Sequence, residues 1–129
     1  MRHIRPALFA LLTLVLITGC AAHKSEVVPK PVPNPDCWVR IYDADHFASS
    51  GSSAIIHGPI EFPTLDNVEG KDWEDDIESF IVGPRAELQV WKSLNYAGTA
   101  LTFQPNQKME ALGDINFQDE IGSMKVVCK

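Results

Sequence analysis

Two five-residue runs concentrate oxygen chemistry in this chain: Asp75-Asp76-Ile77-Glu78-Ser79 and Asp119-Glu120-Ile121-Gly122-Ser123. Each places two adjacent carboxylates, a hydroxyl and the carbonyls between them in one short segment. Such donors suit a hard cation. The first run lies inside a denser group, with Asp72 and Glu74 beside it. Carboxylates packed that closely repel one another, and without a counter-ion the repulsion costs stability. The plainer reading is that both runs are solvated acidic loops. Other chemistry has weaker support. His46 and His57 have no partner at metal-motif spacing. No nucleophile elbow, P-loop or zinc signature is present. The residues therefore point away from an enzyme and toward a binding or structural module.

The first twenty residues set the address. Arg2 and Arg5 precede an apolar stretch over residues 7–17, broken only by Thr13. As a helix those residues would reach roughly 17 Å, short of a bilayer core of about 30 Å, so they read as a signal-peptide core over residues 1–19. Ile17-Thr18-Gly19-Cys20 follows, which resembles a bacterial lipobox. The resemblance implies cleavage before Cys20 and acylation of its thiol (palmitate among the chains), giving stable anchoring. Ala21 in place of Asp at the next position implies sorting to the outer membrane of the cell envelope. The formal charge of −6 includes Arg2 and Arg5, so the mature chain would be more acidic still. An acidic chain has no electrostatic reason to bind nucleic acid. The expected partners are the membrane, calcium, and a protein or glycan the sequence does not name.

Residues 20–36 carry proline at 29, 31, 33 and 35 and no aromatic residue. Alternating prolines favour extended polyproline II, at about 3.1 Å per residue. This segment reads as a tether holding a domain away from the bilayer. That domain is 37–129, near the lower size limit for a core that is stable unaided. Cys37 and Cys128 stand at its two ends. With Cys20 taken by lipid and the compartment oxidising, these two are expected to form a disulfide.

Within the domain, β-favouring runs at 38–42, 54–57, 77–82, 86–91, 99–103 and 121–128 alternate with Gly-, Pro- and Asn-rich breaks. No convincing helix interrupts them. The order of features repeats. Val39-Arg40-Ile41-Tyr42 leads after four residues to Phe47, and Leu88-Gln89-Val90-Trp91 leads after four residues to Tyr96. The acidic runs then recur in the same order. Tyr42 and Trp91 are 49 positions apart, whereas Asp75 and Asp119 are 44 apart. Two copies of a four-strand unit suggest an all-β sandwich of two Greek keys.

Trp91-Lys92-Ser93-Leu94-Asn95-Tyr96-Ala97-Gly98 spaces two aromatics and a glycine as in the folded hairpin of the βγ-crystallin family, which 37–129 resembles throughout. The first copy, Tyr42 to Phe47, has Ser49 where glycine is expected and Gly51 two residues late, so its hairpin should be longer and looser. The resemblance implies a single βγ-crystallin-like sandwich. Relation to the microbial calcium-binding members further implies ligands from Asp75, Asp76, the Ile77 carbonyl and Ser79, and from Asp119, Glu120, the Ile121 carbonyl and Ser123. Backbone carbonyls of Asp43 and Lys92 would complete the two sites, each drawing on both copies. Phe80 and Met124 depart from the family's closing serine, and Glu120 stands where Asn or Asp is usual. The implied function is a lipid-anchored, calcium-binding envelope module. The alternative is a protease inhibitor of the same fold, with residues 58–70 as a protruding reactive loop.

Overall fold

A computed structural model describes Gly19 and residues 34–129. The signal segment 1–18, Cys20 and the tether as far as residue 33 lie outside the described residues. Eight strands follow in order: β1 (Trp38–Tyr42), β2 (Ser53–His57), β3 (Ile60–Phe62), β4 (Ser79–Val82), β5 (Ala86–Trp91), β6 (Ala100–Phe103), β7 (Lys108–Met109) and β8 (Ser123–Cys128). They form two four-stranded sheets, ordered β2-β1-β4-β7 and β3-β8-β5-β6. Every pairing between neighbouring strands is antiparallel.

The all-β sandwich expected from the repeat is present, with one rearrangement. Each sheet holds three strands of one half and the third strand of the other. β3 pairs with β8 through Ile60↔Val126 and Phe62↔Met124. β7 pairs with β4 through Phe80↔Met109. These two strands are absent from the runs read in sequence. At three and two residues, they are too short to show alternation, and Pro59 and Pro63 bracket β3.

Two other boundaries shift. β4 begins at Ser79, not 77, and β8 at Ser123, not 121. Asp75 and Asp119 hold φ of 56° and 53°, a left-handed conformation that turns the chain and keeps the next residues out of the ladder. Ile77 and Ile121 still bury their side chains, plugging the core from the loops.

The core is built from alternate positions. Val39 and Ile41 of β1 and Phe80 and Val82 of β4 face Leu88 and Val90 of β5 and Met124 and Val126 of β8. Phe80 meets Phe103 edge-on at 4.7 Å between centroids. Of the three tryptophans only Trp73 fills the core, whereas Trp38 and Trp91 remain half-buried.

Cys37 and Cys128 form the expected disulfide, with their Cα atoms 5.5 Å apart. It ties the residue that precedes β1 of one sheet to the end of β8 in the other. Gly58 packs against it so closely that a Cβ there would fall 2.8 Å from the Cys37 sulfur and 2.9 Å from Val126. Closing a loop across a sequence separation of 91 stabilises by about 4–5 kcal/mol in the chain-entropy model. Replacing both cysteines by alanine should lower stability by up to that amount while leaving the circular dichroism of the folded state unchanged. Chemical denaturation of the two proteins measures it.

Candidate functional site

The two acidic runs and the two hairpins meet at one end of the sandwich. The hairpins after β1 and β5 fold by the same device. His46 and Phe47 hold φ of 57° and 56°, and their counterparts Asn95 and Tyr96 hold 55° and 60°. Tyr42 packs against Phe47 at 5.6 Å, and Trp91 against Tyr96 at 5.2 Å. The first hairpin is two residues longer, closing from Asp43 N–H to Ser52 O where the second closes from Lys92 N–H to Thr99 O. It is not looser at its aromatic corner, which repeats the second hairpin's backbone angles. Gly98 supplies a φ of 79°. Gly51 does different work: a Cβ there would collide with the Asp43 carboxylate.

Ser79 and Ser123 latch these hairpins. The Ser79 hydroxyl donates to the carbonyl of Ala44 at 2.5 Å and accepts from the Phe47 N–H at 3.2 Å. The Ser123 hydroxyl donates to the carbonyl of Ser93 at 2.7 Å and accepts from the Tyr96 N–H at 2.9 Å. Both serines are fully buried. The amides they satisfy belong to aromatic residues in left-handed backbone, which are costly to hold without such a tie. Sequence reading nominated these hydroxyls as metal ligands. Their observed partners are backbone groups of their own half.

Lysines meet the loop carboxylates. Lys71 Nζ lies 2.8 Å from Asp43 Oδ2, 3.7 Å from Asp76 Oδ2 and 4.1 Å from the centre of the Trp73 ring. Lys92 Nζ donates to Glu120 and, at 2.8 Å, to the carbonyl of Asn116. It also stands over Phe117 at 4.9 Å. Burial alone would push the Asp43 carboxyl up, but hydrogen bonds from Lys71 and Ser52 and the Lys71 charge outweigh it and hold it below its ordinary value. Asp75 has no such relief. Burial raises its carboxyl first, and the charges of Glu74, Asp119, Asp76 and Glu120 raise it further.

One shallow cleft brings the halves together: Glu74 and Asp75 of the first loop face Lys92, Ser93, Leu94 and Gly122 of the second half. Gly122 offers no side-chain oxygen to it. A Cβ there would lie 2.8 Å from the backbone of Ser93 and 3.0 Å from the Lys92 carbonyl. Calcium takes six to eight oxygens, and the implied side-chain donors already have other partners or face solvent. Ser79 and Ser123 are committed to backbone, Asp76 and Glu120 lie against ammonium groups, and Asp75 and Asp119 are exposed. Among the described residues, no three His, Cys, Asp or Glu side chains are grouped to hold a metal ion. Lys71 escaped the sequence reading. Its signal was its place as a cation opening the acidic stretch from Asp72 to Asp76.

Two intertwined Greek keys with aromatic-cornered hairpins define a class, and solved structures share it. A domain from work on the evolution of the eye-lens βγ-crystallin fold superposes with a TM-score of 0.64, at 23% identity, over 73% of this chain and 88% of that one. An archaeal βγ-crystallin gives 0.55 at 19% identity over 70% and 96%. A βγ-crystallin domain from Clostridium beijerinckii gives 0.54 at 20% over 69% and 95%. The chain has the βγ-crystallin fold. No protein-family model and no curated protein sequence matches it.

Ser79→Ala and Ser123→Ala each strand a part-buried backbone N–H and should cost about 1 kcal/mol or more, read by urea denaturation in metal-free buffer. Asp75→Asn keeps a side chain that tolerates left-handed backbone and removes the repelled charge, so it should stabilise at neutral pH by no more than about 1 kcal/mol. The sign reverses between groups. A raised folded-state carboxyl is destabilising when ionised, so the native protein gains stability as pH falls through the raised Asp75 value. The depressed carboxyls, Asp43 and the Glu87 that Lys129 and Gln89 hold down by hydrogen bonds, then lose their contributions as pH falls further, through their own folded-state values. Asp75→Asn should abolish the first rise and keep the later fall in a melting-temperature profile against pH.

Proposed function

We propose that this chain is a lipid-anchored, non-enzymatic protein of the bacterial cell envelope. In this reading Cys20 carries the acyl chains, the proline-rich segment is a tether, and the βγ-crystallin-fold domain is a structural or binding module at the outer membrane. The observation that carries it is the Cys37–Cys128 disulfide, a bond that persists in the oxidising compartment to which the signal-like segment and Ile17-Thr18-Gly19-Cys20 direct the chain.

The side chains agree with a role other than catalysis. The two fully buried hydroxyls, Ser79 and Ser123, are bound to backbone groups, not to an imidazole. His46 and His57 are exposed. The inhibitor reading loses its loop, because residues 60–62 of the 58–70 segment pair with β8 and Leu65 and Val68 are fully buried. What remains is a compact body with an acidic end, suited to a protein or glycan partner and not to nucleic acid. The reading does not depend on calcium.

Cys20→Ser should release the protein from the membrane fraction or leave it as the uncleaved precursor. Mass spectrometry of the native N-terminus should find a diacylglyceryl group on Cys20. An unmodified Cys20 in the native protein would refute the anchor.

A further inference from the structure

Asp43 and Lys92 occupy the same position in the two halves, each the first residue after a β-strand that opens a hairpin. Their charges are opposite. In the first half the hairpin supplies a carboxylate, and Lys71 from the approach to the acidic loop supplies the ammonium, 2.8 Å away. In the second half the hairpin supplies the ammonium of Lys92, and Glu120 of the acidic loop supplies the carboxylate. The polarity reverses between copies, but the pairing of hairpin to its own half is kept both times. Each ammonium does more than one job. Lys71 also reaches Asp76 and the face of Trp73, while Lys92 also takes the Asn116 carbonyl and the face of Phe117.

We infer that Lys71 and Lys92 are the resident cations of this end of the domain and stand in for the calcium that the fold's acidic loops suggest. A tethered ammonium donates hydrogen bonds to the carboxylate and carbonyl oxygens that an ion would collect. It does so as part of the chain, with no ion to recruit. Two single charges cannot balance the whole group of Glu74, Asp75, Asp76, Asp119 and Glu120. Gly122 completes the substitution. Its backbone lies so close to Lys92–Leu94 that no side-chain ligand can enter from that position.

This inference stands apart from the anchoring proposal, since neither lysine bears on Cys20. The test is thermal unfolding of the purified full-length protein in EDTA and in millimolar calcium chloride, beside a Lys71→Met, Lys92→Met double variant. Methionine keeps the apolar stem over Trp73 and Phe117 and removes the charge. The native protein should melt at the same temperature in both buffers. The double variant should melt lower in EDTA, by roughly 4–8 °C, and calcium should restore part of that loss. A Lys71→Arg, Lys92→Arg variant, which keeps both charges, should stay close to the native melting temperature and so separates charge from misfolding. A native protein that calcium stabilises by several degrees overturns the inference. So does a methionine variant that melts like the native protein in EDTA, or one that calcium leaves unchanged.

Discussion

β3 lies in the first half of the sequence but hydrogen-bonds to β8 of the second, and β7 does the reverse with β4. Without the borrowed strand each sheet would present an open edge on one side of its central pair. The exchange brings the two hairpins and the two acidic loops to one end, since each loop must cross over to deliver the fourth strand of its half. It also makes the disulfide effective, because Cys37, just before β1, and Cys128, at the end of β8, flank strands of different sheets that the exchange already holds in apposition. The core between the sheets can be small because no half has to be stable alone.

Crowding at that end creates the electrostatic problem the lysines address. The left-handed turns at Asp75 and Asp119 sit in carboxylate-bearing loops close enough that Asp119 and Glu120 act on the Asp75 carboxyl. The serines that close these loops are tied to the hairpin backbone. Lys71 and Lys92 relieve the repulsion locally, each within its own half, and both are partly shielded by an aromatic face. Pairs of this kind at a partly exposed site contribute modestly. They offset a cost, whereas the core, the latches and the disulfide supply the stability.

The sequence made the large features readable because they rest on strong local signals. Alternation marked β1 and β5, the aromatic spacing from Trp91 to Tyr96 marked a hairpin, and the offset between copies marked the repeat. Paired terminal cysteines marked the staple. What escaped was set by tertiary context. β3 and β7 are strands only because a neighbour from the other half lies beside them. Ser79 and Ser123 read as ligands, because the carbonyls of Ala44 and Ser93 that their hydroxyls meet lie thirty or more residues away in sequence. The fate of the Lys92 side chain was hidden for the same reason, since Glu120 and Asn116 lie more than twenty residues away in sequence.

The strand exchange and the two serine latches tie this end of the domain together through the chain's own groups. Native-state hydrogen exchange in chelating buffer tests it at single amides. The N–H groups of Phe47 and Tyr96, held by Ser79 and Ser123, should exchange only through global unfolding, with the same free energy as the central amides of β1 and β5. Exchange of either amide by a low-energy local opening in chelator, slowed when calcium is added, would contradict the account.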